Sequence, residues 1–322
     1  MFEPVRYINV SREDAGQRLD NYLIRQLKGV PKSLIYRIIR RGEVRLNKGR
    51  AKPERKLCAG DCLRLPPLRM AEVQTSPLVG DRLRNLLQQA ILKEEKSWLA
   101  LNKPAGLAVH GGSGVHLGLI ESLRQMMPQY PSLELVHRLD RETSGCLLVA
   151  KKRSALKYLQ SLFREEKSIR KRYLALVAGS WPGQIHQVDA PLRKNELLGG
   201  ERIVRVQIDG KPAKTEFAVT ERFGQQASLL RAEPVTGRTH QIRVHARHVG
   251  CPLVGDEKYG DPDCNKSMKA HGIHRLFLHA EALEFTCPEG QSLSLSAPLP
   301  VELQAGLESL RASEQASGRT PG

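Results

Sequence analysis

A short charged segment at residues 136–145, with the sequence VHRLDRETSG, contains the residues best suited to chemistry. Its carboxylate, Asp140, lies between Arg138 and Arg141. Because a nearby positive charge favours the ionised form of a carboxyl group, we expect Asp140 to be charged near neutral pH and able to act as a nucleophile or a base. The same residues would also suit a structural ion pair in a turn. The segment alone does not decide between these two interpretations.

Apolar residues on both sides predict that this segment is a loop between two strands. Leu133, Leu135 and Val136 lead into it, and the sequence CLLV at 146–149 follows it. Short apolar runs bounded by turn residues are typical of buried strands. We therefore expect rigid elements to hold the loop that contains Asp140.

The chain after residue 92 changes irregularly between strand and helix patterns. Strands are predicted at 97–102, 171–178, 215–221, 227–233, 271–280 and 282–286, and helices at 154–166, with Ser154 as its N-cap, and from 236–239 to His248. Strands interrupted by isolated helices, with at least one hairpin, predict an α+β domain with a mixed, mainly antiparallel sheet. The polar stretch 312–322 lacks periodicity, and we expect it to be disordered.

The predicted helix that ends at His248 is strongly basic. His240 and Arg243 are three positions apart, and Arg247 follows Arg243 by four. Because residues at these spacings share a helix face, their side chains can present cations to a phosphate or to Asp140. The same pattern also fits a solvated surface, so the spacing leaves both interpretations open.

The N-terminal segment carries much of the positive charge. The chain has 322 residues, with 51 Lys and Arg against 34 Asp and Glu, a formal net charge of +17. Residues 18–56 contain thirteen basic and three acidic residues, a net charge of +10. This segment is predicted to form helices at 18–27 and 31–41 and strands at 43–47 and 61–65. Such a surface favours a polyanionic partner, and we expect RNA, whose phosphates release counterions on binding.

Composition and spacing argue against several other classes of protein. No run reaches the roughly 18 apolar residues of a membrane span, and the N-terminus lacks a signal-peptide pattern, so we expect a cytoplasmic protein without a membrane partner. The six cysteines are too sparse for a disulfide framework. Cys58, Cys62 and the histidines at 271, 274 and 279 lack metal-site spacing, and the glycine-rich stretch 110–116 lacks a nucleotide-loop pattern. We therefore expect neither a metal nor an organic cofactor.

The segment around Asp140 resembles the active-site motif of the RluA family of RNA pseudouridine synthases. The pattern HRLDxxTSG occupies 137–145 and is followed by an apolar run. Three further blocks are similar in order and spacing: LALNKPAG at 99–106, KRY at 171–173 and GRTHQIRVH at 237–245. The resemblance covers residues 97–300 and implies the pseudouridine synthase fold for this part of the chain.

The resemblance also implies an activity and roles for individual residues. Family members flip a uridine out of folded RNA, break its N1 glycosidic bond and rejoin the uracil through C5. Asp140 would be the essential carboxylate, which either attacks C1′ of the ribose or assists loss of a ribose proton. Tyr173 would stack on the flipped uracil and is a candidate for moving the C5 proton. Arg243 would orient Asp140 through an ion pair.

Four more residues are candidates for substrate binding through the same resemblance. Arg138 would fill the gap that the flipped nucleotide leaves in the RNA. Ile242 and Leu278 would add apolar walls to the uracil pocket, and His240 belongs to the same motif as Ile242.

Residues 1–70 resemble an S4 RNA-binding domain. In such domains the second helix and the hairpin entry face structured RNA, which makes Lys32, Arg37, Arg40, Arg41 and Arg45 candidates for RNA binding. We expect a linker with a short helix at 71–92, a catalytic domain at 93–311 and a tail at 312–322. The combination is that of family members acting on large-subunit (23S) ribosomal RNA, which we expect as the substrate of a monomeric enzyme.

Other functions stay open at this level. A sister synthase of the same layout would act on other sites in ribosomal or transfer RNA, and a non-catalytic ribosome-assembly factor would keep the fold without the reaction. A base methyltransferase would need a glycine-rich cofactor loop between a strand and a helix. A glycosidase would need a second carboxylate; Glu142 is near in sequence, but adjacent loop residues tend to point apart.

Overall fold

The chain divides into two units, Met1–Leu78 and Val79–Gly322. The computed structural model describes residues 4–12, 14–27, 29–68, 77–111, 117–165, 168–196 and 202–317. The division lies eight residues after the predicted boundary at residue 70, and residues 71–76 of the predicted linker are outside the described ranges. No helix in those ranges has both the length and the apolar character needed to cross a membrane.

The smaller unit packs two helices on one face of a short antiparallel sheet. Its elements are β1 (Arg6–Asn9), α1 (Leu19–Gln26), α2 (Lys32–Arg40), β2 (Arg45–Leu46) and β3 (Cys62–Leu65), with the strand order β1-β3-β2. Ile35, Ile38 and Ile39 lie on one face of α2, as their spacing predicts, and share a core with Leu63 and Leu65 of β3. The predicted helices and strands of this unit are present, but β2 covers only Arg45–Leu46 of the strand predicted at 43–47.

The larger unit contains α3 (Asp81–Gln89), β4 (Ile91–Glu94), β5 (Trp98–Lys103), α4 (Leu119–Met126), β6 (Glu134–Leu135), β7 (Ser144–Ala150), α5 (Arg153–Arg164), β8 (Ile169–Ala178), β9 (Gln187–Asp189), β10 (Leu192–Glu196), β11 (Arg202–Val206), β12 (Lys214–Phe223), β13 (Ala227–Pro234), α6 (Gln241–His248), α7 (Pro262–Met268), β14 (Leu278–Thr286), β15 (Ser292–Ser296) and α8 (Val301–Ser317). Ten of the described strands form one sheet in the order β4-β5-β7-β14-β8-β13-β12-β9, with β15 beside β14 and β6 beside β7. Only β7 and β14 pair in parallel among these strands. The predicted mixed, mainly antiparallel sheet is therefore confirmed.

The centre of this sheet brings three distant segments side by side. Tyr173 of β8 pairs with Ala280 of β14, and Ala280 pairs with Gly145 of β7. A Cβ at position 145 would lie 2.2 Å from the carbonyl oxygen of Ala280, and the φ of Gly145 is +114°. Only glycine tolerates both conditions. It allows β7 to approach β14 directly after the loop that contains Asp140.

Two predicted elements of the larger unit were wrong in their bounds. The N-cap of α5 is Lys152, so Ser154 lies inside the first turn and is not the cap. Residues 271–280 do not form a strand throughout: residues 269–271 are a 3-10 helix that ends at Gly272 with φ +77°, and β14 begins only at Leu278. The left-handed glycine ends the helical turn, which apolar alternation alone does not indicate.

The C-terminal segment also differs from its prediction as a disordered tail. Helix α8 continues to Ser317, so residues 312–317 are helical, and residues 318–322 lie outside the described ranges. Leu303, Leu307 and Leu310 are buried against the core. Their spacing of four and three anchors the first turns of the helix. Beyond them, Arg311 pairs with Glu221, and Glu314 accepts a hydrogen bond from the backbone N–H of Gly224.

Candidate active site

Asp140 lies in a turn between β6 and β7, where its side chain contributes to the wall of a cavity of about 510 Å³. Its carbonyl oxygen accepts a hydrogen bond from the backbone N–H of Thr143 at 3.2 Å, which closes the turn. The side chain is 22% exposed. Its carboxylate is therefore accessible to a ligand in the cavity while its backbone is fixed.

A buried lysine ties this turn to the end of β5. The Nζ atom of Lys103 donates to the carbonyl oxygens of Pro104, Leu107 and Arg141 at 2.8, 2.9 and 3.0 Å. Burial lowers the pKa of Lys103 to about 7, while three carbonyl acceptors around one nitrogen favour its protonated form. Lys103 thus holds the residue that directly follows Asp140.

Arg243 of α6 connects Asp140 to a second, fully buried carboxylate. Its Nη1 lies 3.3 Å from Oδ2 of Asp140, while Nε and Nη2 each donate to Asp256 at 2.7 Å. Burial opposes the charge of Asp256, but the hydrogen bonds and charge of Arg243 bring the pKa of this carboxyl below its ordinary value. The bidentate pair fixes the guanidinium plane, and the remaining nitrogen points at Asp140.

His240 faces the same carboxylate oxygen of Asp140 as Arg243 does. Its Nε2 is 3.8 Å from Oδ2 of Asp140, and its Nδ1 is 2.7 Å from the hydroxyl of Tyr259. That hydroxyl also accepts a hydrogen bond from the backbone N–H of Val204 at 3.0 Å. Burial lowers the pKa of His240, and the opposing charge of Asp140 does not reverse this effect. The imidazole is therefore neutral at neutral pH.

The other residues assigned from the sequence line the same cavity. Tyr173, Ile242 and Leu278 contribute to its wall, as does Arg138, whose side chain is exposed. Burial raises the pKa of Tyr173, and the negative charge of Asp140 adds to this effect. Its phenol therefore keeps its proton at neutral pH.

Arg141 does not hold the charge of Asp140, contrary to the expectation from sequence. Its Nε donates to the carbonyl oxygen of Gly106 at 3.0 Å and lies 3.3 Å from Oε1 of Glu142. Glu142 lines a different cavity. The side chains that follow Asp140 in the turn thus point away from it, as expected for adjacent loop residues.

The RNA-binding candidates of the smaller unit lie on two elements. Lys32, Arg37 and Arg40 are exposed on α2, and Arg41 is exposed at its C-terminal end. Arg45 lies on β2 and pairs in register with Arg64 of β3. Four of the five candidates therefore lie on α2 or at its end, and Arg45 lies on the sheet.

Sequence reasoning missed three residues that support the site. Lys103 was noted only as part of a family block, although a lysine at the end of an apolar strand is itself a signal. Asp256 and Tyr259 lie in GDEKYG at 255–260, where two glycines frame a carboxylate and an aromatic residue. Within the described ranges, no group of three or more His, Cys, Asp or Glu side chains could hold a metal ion.

Comparison with protein families gives two matches. The RNA pseudouridylate synthase family model matches residues 97–248, and the S4 domain model matches residues 17–62. The first match contains Asp140, Tyr173 and Arg243, and the second contains the basic helix α2.

Curated relatives are similar over nearly the whole chain. Ribosomal large subunit pseudouridine synthase C of Pasteurella multocida (strain Pm70) is 53% identical over 312 residues, which cover 96% of this chain and 95% of the relative. The protein of the same name from Escherichia coli (strain K12) is 52% identical over 312 residues, 95% of this chain and 97% of its own.

Solved structures show the same similarity in three dimensions. Human RNA Pseudouridylate Synthase Domain Containing 4 superposes with a TM-score of 0.59 at 28% identity, covering 71% of this chain and 96% of that one. Human RNA Pseudouridylate Synthase Domain Containing 1 gives a TM-score of 0.55 at 28% identity, covering 72% and 95%.

Proposed function

The chain belongs to the RNA pseudouridylate synthase family and carries an S4 domain, and from this membership we propose that it isomerises uridines of large-subunit ribosomal RNA to pseudouridine. The family, the S4 domain and the pseudouridine synthase fold were predicted from the sequence and are confirmed. The substrate follows from the relatives named for the large ribosomal subunit, which match this chain over nearly its full length.

One observation supports the assignment of the site most strongly. Asp140, Tyr173 and Arg243 come from three segments far apart in sequence, yet their side chains line a single cavity. A carboxylate held by a guanidinium beside an aromatic ring is the combination that attack on a flipped nucleoside requires. A purely structural ion pair would not need an open cavity next to it.

The reaction is an isomerisation in which nothing is consumed. The N1 glycosidic bond of the flipped uridine breaks, the uracil turns, a bond forms between C1′ and C5, and the proton of C5 leaves while N1 gains one. Asp140 either attacks C1′ or accepts a ribose proton. Arg243 supports both routes, because a fixed positive charge stabilises the carboxylate in a partly dry cavity without reorganising.

The remaining residues of the cavity bind and orient the uracil. Tyr173 stacks on the flipped base, and its protonated phenol can pass the C5 proton on. Ile242 and Leu278 provide apolar contact, and His240 lies beside the carboxylate. Arg138, exposed where the cavity opens to RNA, occupies the space that the flipped nucleotide leaves in the helix.

The smaller unit supplies affinity for the RNA backbone. Lys32, Arg37, Arg40 and Arg41 present positive charge at α2, and Arg45 adds a cation on the sheet. Such contacts position a protein on RNA without reading its sequence. We place the enzyme in the cytoplasm with its ribosomal substrate, and we expect a monomer, because the residues of one chain complete the cavity.

Mapping pseudouridines in ribosomal RNA from cells with and without this protein tests the proposal. We expect specific large-subunit positions to lose the modification and to regain it with the wild-type gene, but not with Asp140→Asn. Loss at transfer RNA or small-subunit positions would identify a sister synthase with other sites. Unchanged modification together with a ribosome-assembly defect would identify a non-catalytic assembly factor.

A further inference from the structure

We propose that His240 and Tyr259 together fix one oxygen of the Asp140 carboxylate, so that the other oxygen alone meets the substrate. In this arrangement His240 is neutral and carries its proton on Nε2, which faces Oδ2 of Asp140. Tyr259 is a positioning residue, because it determines which nitrogen of His240 is protonated. The proposal rests on the proposed function, in which Asp140 is the essential carboxylate.

The hydrogen bonds of Tyr259 determine the tautomer of His240. Tyr259 is only 2% exposed, and its hydroxyl oxygen already accepts a hydrogen bond from Val204. A buried hydroxyl proton needs an acceptor, and Nδ1 of His240 lies 2.7 Å away. If Nδ1 were protonated instead, the hydroxyl would accept twice and its own proton would stay buried without an acceptor among the described residues. Nδ1 is therefore the acceptor, and the proton of the neutral ring is on Nε2.

Two donors then converge on the same carboxylate oxygen. Nε2 of His240 is 3.8 Å from Oδ2 of Asp140, and Nη1 of Arg243 is 3.3 Å from the same atom. Both distances exceed that of a good hydrogen bond, as is common in sites without bound substrate, and we expect both contacts to shorten when RNA binds. With Oδ2 held from two sides, Oδ1 is the oxygen available to the ribose.

A single buried carboxylate sets the position of both donors. Asp256 binds Arg243 through two hydrogen bonds and also accepts from the backbone N–H of Tyr259 at 3.0 Å. The guanidinium of Arg243 lies over the ring of Tyr259, 4.9 Å from its centroid. Asp256 therefore aligns the guanidinium and the phenol on which the two contacts to Asp140 depend.

The backbone of His240 supports a functional reason for this geometry. Its φ is +54°, in the left-handed region that non-glycine residues seldom adopt. Strained residues of this kind persist where the surrounding structure imposes them, and they concentrate at functional sites. In this conformation the ring of His240 lies between Tyr259 and Asp140.

Nitrogen-15 NMR of the full chain labelled at histidine tests the tautomer without any activity measurement. The spectrum of His240→Gln identifies the ring signals of His240 by their loss. We expect the signals of a neutral ring protonated on Nε2 in the wild type, and a mixture of tautomers in Tyr259→Phe. A wild-type ring protonated on Nδ1, or a tautomer unchanged in Tyr259→Phe, would overturn the proposal even if the enzyme is active.

Two substitutions at His240 separate proton donation from backbone strain. Gln places a side-chain N–H near the position of Nε2, whereas Asn tolerates positive φ better but is too short to reach Asp140. We expect His240→Asn to lower kcat about 10- to 100-fold, because a hydrogen bond to a charged group is lost. We expect His240→Gln to keep most of the wild-type kcat. Equal losses in the two variants, or higher activity with Asn, would show that donation from this position is not used.

Tyr259→Phe completes the test in the kinetics. We expect kcat to fall about tenfold with KM unchanged, because the phenol orients a group that acts on Asp140 and does not touch RNA. Tyr130→Phe, outside the cavity, is the matched control and should leave both constants unchanged. A higher KM with unchanged kcat in Tyr259→Phe would contradict the proposal. If neither the wild type nor any variant isomerises RNA, the NMR spectra still determine the tautomer of His240, and only the proposed function fails.

Discussion

Oδ2 of Asp140 lies 3.3 Å from Nη1 of Arg243, although 103 residues separate the two in sequence. Arg243 makes this contact with one nitrogen only, because Asp256 binds the other two. The guanidinium is therefore oriented before any substrate arrives. Such preorganisation saves the cost of arranging a charge during the reaction.

Asp256→Asn should weaken both the fold and the reaction. The substitution removes the carboxylate charge and leaves the guanidinium of Arg243 buried without its full partner. We expect a loss of about 3–5 kcal/mol in the free energy of unfolding. We also expect a lower kcat, because Arg243 is no longer held in position beside Asp140. Urea unfolding and single-turnover pseudouridine formation measure the two effects.

The control for Asp256→Asn is an arginine–carboxylate pair at the surface. Glu302 accepts from Arg275 at 2.8 Å, but its side chain is 57% exposed. Glu302→Gln should change the free energy of unfolding by less than about 1 kcal/mol and leave turnover unchanged. Equal effects in the two variants would show that the buried pair has no special role.

Asp140→Asn should abolish isomerisation while leaving RNA affinity nearly unchanged. The amide keeps the size of the side chain but is neither a nucleophile nor a base, and the contacts that bind RNA lie elsewhere. Pseudouridine formation and filter binding measure the two properties. Glu142→Gln is the matched control, because the neighbouring carboxylate lines another cavity. Turnover retained in Asp140→Asn would remove this residue from the mechanism.

The sequence predicted the parts of the site that depend on local pattern. The apolar runs around Asp140 indicated a loop between strands. The spacing of His240 and Arg243 left open whether they face Asp140, and His240 lies one residue before α6 with a left-handed backbone. These interactions are short-range, or their patterns repeat with the period of the element that carries them. The same period leaves Arg37 and Arg40 of α2 exposed, away from its buried isoleucines.

The spacing of residues in the sequence did not predict which distant segments contact each other. Nothing near Asp256 reveals that it binds Arg243, because that pairing depends on how the loop at 255–260 packs against α6. Arg141 was misassigned for the same reason, since sequence proximity to Asp140 does not fix the direction of a side chain in a turn. Helix α8 was missed because its anchoring leucines precede a polar stretch that has no periodicity.

Lys103→Met should remove a pH dependence of stability. The pKa of Lys103 in the folded protein is about 7, whereas an unfolded lysine titrates near 10.4. Between these values only the unfolded chain binds the proton, so the wild type gains up to about 1.4 kcal/mol of stability per pH unit as the pH rises. Below about pH 7, Lys103 is protonated in both the folded and the unfolded protein, so the free energy of unfolding no longer changes with pH through this residue.

Urea unfolding of the wild type and Lys103→Met at several pH values between about 7 and 10 measures this difference. Other groups titrate equally in both proteins, so the difference between the two curves isolates Lys103. Parallel curves would mean that the three carbonyl oxygens around Nζ keep the lysine protonated in the folded state throughout this range.

Replacing Arg37 and Arg40 by Gln should flatten the salt dependence of RNA binding more than it changes the chemistry. Both side chains are exposed on α2, opposite its buried face. Each phosphate contact that is lost lowers the slope of log K against log salt by about 1, because fewer counterions are released.

Lys266 and Lys269, exposed on and just after α7, provide a control pair of equal charge. We expect the slope to fall by about 2 in the α2 variant and to stay unchanged in the control, with kcat at saturating RNA unchanged in both. Equal slopes for the α2 variant and the wild type would exclude this helix from the RNA contact surface, and equal reductions in both variants would show that net charge, not the position of α2, determines affinity.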